Sequence, residues 1–373
     1  MTNEDFELLR KLTILIPTFK RPLELERSLE YWRDLPVTVH ILDGSDKPCF
    51  PVGNLIEDSG KISYHHLPNE IEDGHFYHNW YERINYGLSI VNTEFATIIG
   101  EDDFFLLSGL IKALKTLVEC EQVDIIKGRD IFFEKDTDSV RWKKAFLRGA
   151  SSKNHKSAEL IERLKTNPKK FGQTHYGISR TEKLKAVWFD VGKSVFSSRF
   201  LNEWFHEQLH LAFCRVEVID AFIHLREERK IINRAALWEE KHSIFDRDEE
   251  YKVVCRLFKE SFSKIDPLLD EHTLNELALS RADWLFDLLA YKESPPIENT
   301  PSKVHQKVTL PLRKYLRNTV LSLPPSVLGL LYLVKPQIRS QIENHTPLIF
   351  KEREFFEKLL LRPREELRLR ANI

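Results

Sequence analysis

The chain has 373 residues, with 56 Lys+Arg against 57 Asp+Glu and a formal net charge of -1. Hydrophobic residues make up 42% and charged residues 30%, with only 13 Gly and 17 Pro, which excludes a disordered, collagen-like or linker-dominated chain. Near-neutral charge also argues against a whole-chain nucleic-acid binder, which would carry a large basic excess.

At about 150 residues per domain, the length suggests two to three domains, or one large α/β domain with an appendage. The cysteines Cys49, Cys120, Cys214 and Cys255 lie far apart with no C-x-x-C pair. Neither a zinc knuckle nor a disulfide scaffold is expected, and a reducing, cytoplasmic setting is the simplest reading. The chain begins Met-Thr-Asn-Glu-Asp, acidic where a secretory signal would be basic. The most apolar stretch, Val320 to Val334, is interrupted by Pro324 and Pro325 and falls short of the roughly 20 residues a spanning helix needs.

Taken in order, LTILIP (Leu12 to Pro17) reads as a buried parallel strand that stops at proline. From Pro22 a helix carries Leu25, Leu29 and Trp32 on one stripe, and Val37 to Ser45 returns as a second strand. That is a βαβ unit, whose crossover should be right-handed. A strand over Ile62 to Leu67, a helix over Tyr77 to Val91 and the buried strand Phe95 to Ile99 continue the alternation. A helix over Leu107 to Val118 and a strand over Val123 to Phe133 complete an open α/β sheet. Ligands of such sheets sit beyond the carboxyl ends of the strands, where the polar clusters at Thr18, Asp43 and Asp102 fall.

Between about Lys135 and Gln173 the composition turns to Lys, Ser, Asn and Gly, and Gly149 to Ser157 is a candidate lid. Ser179 and Glu182 have capping-box spacing before a helix through Leu184 and Val187. Phe200 to Phe213 reads as a helix and Val216 to Leu225 as a strand. Beyond His242 helical periodicity dominates, as in Tyr251 to Phe262 and Leu274 to Leu289.

Glu101-Asp102-Asp103 directly follows an apolar strand where the sheet opens towards a ligand. Adjacent carboxylates repel one another and stay ionised most readily when a divalent cation or hydrogen-bond donors share the site; oxygen ligands of this kind suit Mn²⁺ or Mg²⁺. The bland alternative is an acidic start to the next helix, complementing its dipole.

The order LTILIPTFKRP, then ILDGS, then GEDDFF resembles the nucleotide-sugar half of a family 2-type, GT-A-fold glycosyltransferase. Neither G-x-G-x-x-G after the first strand nor G-x-x-x-x-G-K-[ST] anywhere is present, which removes the main rival nucleotide folds. The resemblance implies a GT-A-like domain over residues 1–241, its nucleotide-sugar half at about 12–128, followed by a helical region over 242–373. It also implies that Pro17, Thr18 and Asp43 hold nucleobase and ribose. Asp102 would contact ribose or sugar, Asp103 would ligate the metal, and Glu101 would take the first acidic position. Family members often carry two Asp before Gly-Ser, whereas only Asp43 precedes Gly44-Ser45 here. The Arg-Asn-x-Gly segment of the family appears as Ile84-Asn85-Tyr86-Gly87, which turns attention to Arg83 for the arginine contact.

The general base expected on the acceptor side maps to Glu207, with Glu203 one turn earlier as runner-up; a solvated helix position is the alternative for either. His175 and His242 are weaker metal-ligand candidates, and Trp80, Trp188, Trp204 and Trp238 could stack on sugar or simply be core. The reaction implied is metal-dependent, inverting transfer from a nucleotide-sugar, a UDP-sugar favoured, to a glycan or lipid-linked glycan acceptor in surface-polysaccharide assembly. The rival is a non-catalytic nucleotide-sugar-binding or scaffolding protein on a degenerate transferase fold. From Pro301 to Ile373 the tail holds 14 Lys+Arg and 6 Asp+Glu, a net of +8. That pattern suits peripheral contact with an anionic membrane surface, and equally a lid or a homo-oligomer interface.

Overall fold

The computed structural model describes residues 1–49, 60–68, 76–135, 140–142, 156–165, 174–191, 196, 199–227, 247–293, 356 and 359. The proposed lid at Gly149 to Ser157 falls almost wholly outside them, as do Trp238, His242 and the tail apart from Phe356 and Leu359.

Nine strands form one sheet: β1 (Leu12–Thr18), β2 (Thr38–Asp43), β3 (Ile62–His66), β4 (Phe95–Ile98), β5 (Phe104–Phe105), β6 (Ile125–Lys135), β7 (Val140–Trp142), β8 (Ile178–Arg180) and β9 (Val216–Glu227). Their spatial order is β3-β2-β1-β4-β8-β6-β9-β5, with β7 paired to β6. The long ladders β1·β2, β1·β4, β2·β3 and β6·β9 are parallel, and the short ones involving β5, β7 and β8 are antiparallel. This is the open, mostly parallel α/β sheet that the sequence led us to expect.

The helices are α1 (Asn3–Arg10), α2 (Pro22–Arg33), α3 (Phe76–Ile90), α4 (Leu107–Glu119), α5 (Leu160–Lys165), α6 (Thr181–Val191), α7 (Arg199–Phe213), α8 (Arg247–Ile265) and α9 (Glu271–Glu293). They cover both faces, because alternate residues of each strand point to opposite sides. On β1, Ile14 and Ile16 face the α1, α2 and α4 layer, whereas Leu15 faces the layer containing α3, α6 and α7. Val254, Phe258 and Phe262 of α8 and Leu274 and Leu285 of α9 join that second layer, so the late helical hairpin shares a core with α7. On the first layer, Phe356 lies against Tyr31 and Phe104, with ring centroids 5.3 and 5.5 Å away.

Two local readings of the sequence are corrected. β1 does not stop at Pro17 but runs to Thr18, pairing Pro17 with Leu42 of β2. Proline is tolerated there because the β4 ladder ends earlier, at Leu15 and Ile98, so no amide is needed on that side. Nor does Ser179 cap a helix: it lies in β8 opposite Ala96, and α6 starts at Thr181, whose hydroxyl donates to the Thr93 carbonyl at 2.7 Å. Edge-to-edge pairing with β4 outweighs the local capping preference. A capping box does form at Thr2 and Asp5, ahead of α1, a helix the sequence reading lacked.

Candidate functional site: a polar rim at the carboxyl ends of the strands

β1 and β2 end in register, Thr18 opposite Asp43, and the Gly44 N–H donates to the Thr18 carbonyl at 3.0 Å. The chain after β1 turns sharply at Lys20, whose φ of 55° is left-handed and costly for a residue with a Cβ. A bond from the Lys20 N–H to Ser45 Oγ at 2.7 Å holds that turn. Arg21 then occupies the N-cap of α2 and Pro22 its first turn, and no side chain caps the first amides.

Asp43 is fully buried. Its carboxylate accepts from the Ser45 N–H at 2.9 Å, the Cys49 N–H at 2.7 Å and the Tyr64 hydroxyl. Burial pushes the carboxyl up, but the bonds from Ser45, Tyr64 and Cys49 outweigh it and hold the group below its usual range. Arg83 from α3 lies across Gly44 so closely that a Cβ there would come within 1.8 Å of the guanidinium. Burial draws Arg83 down to about 10 against the attraction of Asp43. Thr18 Oγ1 is buried beside this pair and has no hydrogen-bond partner among the described residues.

The acidic motif follows β4. A turn closed by the Asp103 N–H to the Gly100 carbonyl, at 3.1 Å, places Glu101 and Asp102 at its tip. Arg21 donates to Asp102 Oδ2 at 2.9 Å and pairs with Glu101. β5 then pairs with β9 at Leu225 and His224, which draws the end of β9 alongside Asp103. Asp103 Oδ1 accepts from the Glu227 N–H at 3.1 Å, and its Oδ2 lies 3.5 Å from both His224 and Arg226. Behind His224, Asp130 lies 3.6 Å away and is paired with Lys127 at 2.9 Å.

These acids are not equivalent. Burial raises Glu101 to about 7, with Arg21 opposing. Asp102 is pushed well up by burial and by Asp103 and Glu101, more than Arg21 relieves. Asp103 is lowered: burial acts upwards, and His224, Arg226 and the Glu227 N–H overcome it.

On α7, Glu207 is buried and accepts from the Thr174 N–H at 2.6 Å and the Thr174 hydroxyl at 2.5 Å. It braces the 3₁₀ turn Thr174–Tyr176 against α7. That turn puts Tyr176 under Arg226, 4.6 Å from ring centre to guanidinium. Burial raises the Tyr176 hydroxyl, and Asp103, Glu203 and Asp102 all push it further the same way. Glu203, half-buried, therefore shares an electrostatic neighbourhood with the acidic motif. Both carboxylate oxygens of Glu207 accept from Thr174, one from its N–H and one from its hydroxyl, so the two candidate bases stand in different surroundings.

Trp188 and Trp204 are buried in the second core layer, and Trp80 packs on Trp188 at 5.2 Å, so these three serve packing. His175 is buried beside Tyr176 and near His206, away from any group of three metal-ligating side chains. No such group occurs among the described residues. Magnesium-type sites usually take one or two carboxylates, with substrate phosphates and water filling the remaining positions. Asp102 and Asp103 fit that donor set, and the mutual repulsion that raises Asp102 is what a divalent cation would relieve. Glu101 and Asp102 both pair with Arg21.

Sequence reasoning missed Arg21, Tyr176, His224 and Arg226. The His-x-Arg alternation at the end of β9, two residues on one strand face, was the available signal.

No protein-family model matches the sequence, and no curated protein matches it. Among solved structures, the chain is similar to Staphylococcus aureus TarS 1-349 in complex with UDP-GlcNAc, at 15% identity and a TM-score of 0.48, covering 92% of this chain and 91% of that one. The same protein in complex with UDP gives 15% identity, a TM-score of 0.46 and the same coverage. A longer TarS structure gives 14% identity and a TM-score of 0.44 over 90% of this chain and 54% of that one. At these values the likeness is one of chain path, and no activity passes from those proteins to this one.

Proposed function

We propose that the protein is a glycosyltransferase that moves a sugar from a nucleotide-sugar donor, a UDP-sugar favoured, to a hydroxyl of a glycan or lipid-linked glycan, inverting the anomeric centre. The observation that carries this reading is the convergence, at the carboxyl ends of β1, β2 and β4, of the Asp43–Arg83 pair with the Glu101-Asp102-Asp103 turn.

Asp43, held ionised by its three donors, and Arg83 beside it offer an acceptor and a donor to the polar edge of a nucleobase. The Thr18 hydroxyl adds a buried polar group seeking a partner. Asp102 and Asp103 would hold Mn²⁺ or Mg²⁺, with Asp103 fixed in place by β9. When bound, such a cation neutralises charge that builds on the departing diphosphate. Glu203 takes the proton from the acceptor hydroxyl as that oxygen attacks the anomeric carbon from the side opposite the leaving group. Arg226, stacked on Tyr176 and 3.5 Å from Asp103, would bind acceptor oxygens.

The biological setting we favour is surface-polysaccharide assembly on the cytoplasmic side, the basic tail resting on an anionic membrane. No helix among the described residues is long and apolar enough to cross a membrane. Flotation of the full chain with anionic vesicles tests the tail, and absence of binding at low salt would refute it.

The activity is tested by incubating the protein with UDP- and GDP-sugars and Mn²⁺ and following sugar release and transfer. Asp103→Asn should abolish both while leaving the melting temperature within a few degrees of wild type. Full activity in that variant would refute the assignment. Donor binding by the wild type without any turnover would favour the non-catalytic reading.

A further inference from the structure

Arg21 is the residue at this site that joins the turn after β1 to the acidic turn after β4. Its backbone is anchored: Lys20 is tied to Ser45, the Arg21 carbonyl accepts from the Leu25 N–H at 3.1 Å, and Pro22 follows. Its side chain is only 23% exposed and spans two acids, Glu101 and Asp102. The guanidinium is thus shared between two neighbouring carboxylates of the same turn. The main chain is therefore fixed and the long side chain is the part able to change partners.

Resting on the glycosyltransferase reading, we propose that Arg21 is a donor-binding residue held in reserve: it occupies Asp102 in the unliganded protein and turns to the donor's diphosphate on binding. Asp102 faces Asp103 and Glu101, so it cannot be stripped of its counter-ion without another cation arriving. A divalent cation reaching Asp102 displaces the guanidinium, which then needs an anion within a site largely closed to water. The diphosphate that arrives with the cation is that anion, and guanidinium and phosphate match as a bidentate pair. No covalent bond changes in this exchange. Metal and nucleotide consequently bind as a pair, each weakly alone.

The test measures Mn²⁺ alone, and UDP at saturating Mn²⁺, binding calorimetrically to the full chain, to Arg21→Gln and to Arg21→Lys. In Arg21→Gln, Mn²⁺ alone should bind about tenfold more tightly and UDP about tenfold more weakly, the equivalent of one charge-assisted hydrogen bond gained and one lost. Arg21→Lys should keep Mn²⁺ binding close to wild type yet recover UDP binding only in part. If both affinities fall together, or neither moves, Arg21 is a structural brace and the proposal is overturned. If the wild type binds UDP in no condition, the glycosyltransferase reading falls and takes this proposal with it; unchanged variants of a UDP-binding wild type sink the proposal alone.

Discussion

Glu207 gives both of its carboxylate oxygens to Thr174, one to the backbone N–H at 2.6 Å and one to the hydroxyl at 2.5 Å. This clamp fixes the turn that carries Tyr176 against α7.

Substitutions at the two acids of α7 should therefore separate. Glu207→Ala leaves two buried donors of Thr174 unmet and should cost about 2–4 kcal/mol of stability. Glu203→Gln should leave the thermal midpoint within a degree or two of wild type while removing sugar transfer. Paired melting and transfer measurements decide, and the opposite pattern would return the base to Glu207.

Gly44→Ala would drive a methyl group to within 1.8 Å of the Arg83 guanidinium. Because that contact is with the end of a long side chain, the fold should survive while Arg83 leaves Asp43. UDP affinity is expected to fall by about tenfold or more, the loss of one charge-assisted contact. Titration calorimetry on the folded variant measures this.

Acid should weaken the fold before it reaches the ordinary carboxylate range. Burial lowers His40 and His210 to about 4 and lowers His65, His175 and His206 as well. These rings stay neutral in the native state while the unfolded chain takes up protons below about pH 6.5, so stability drops as pH falls from there towards 4. Glu101, Asp102 and Glu227, all raised chiefly by burial, act in the opposite sense: they are protonated in the native state first and gain stability over the same fall. Five histidines against three acids predicts a lower melting temperature at pH 5 than at pH 7.5. Glu101→Gln removes one opposing group, and its melting temperature should fall more steeply over that range.

Phe356 is 1% exposed and touches Tyr31 and Phe104. Tyr31 in turn donates its hydroxyl to the Phe105 carbonyl. Phe356→Ala should cost about 3 kcal/mol or more. A chain ending near residue 300 should melt lower than the full chain, as differential scanning would show. Equal melting temperatures would mean that the tail contributes no stability to the body.

The strands β1, β2 and β4 were readable because each is a short, largely apolar run followed closely by polar residues. For the same reason the acidic turn and Asp43 could be placed at strand ends. β5 and β8 were not readable: with two and three residues, they carry no periodicity, and their pairing is decided by β9 and β4. His224, Arg226, Tyr176 and Asp103 come from distant parts of the chain and meet only because β5 brings β9 to the acidic turn. The bonds of Glu207 to Thr174 were not readable either, because Thr174 is unremarkable in sequence.

The antiparallel strand β8 sits between β4 and β6 and is bonded to both. β4 is complete at residue 98 and β6 at residue 135, yet the strand that joins them is not synthesised until residues 178–180. A growing chain therefore carries the β3-β2-β1-β4 half-sheet with its β4 edge open, and β6 paired only with β7, across more than 40 residues of synthesis, counting from 135 to 178. β9, parallel to β6, comes later still. The β3-β2-β1-β4 half can take shape early on the ribosome, but the acidic turn acquires its β9 wall only after residue 227 has emerged, so the surroundings of Asp103 are assembled long after Asp103 itself is made.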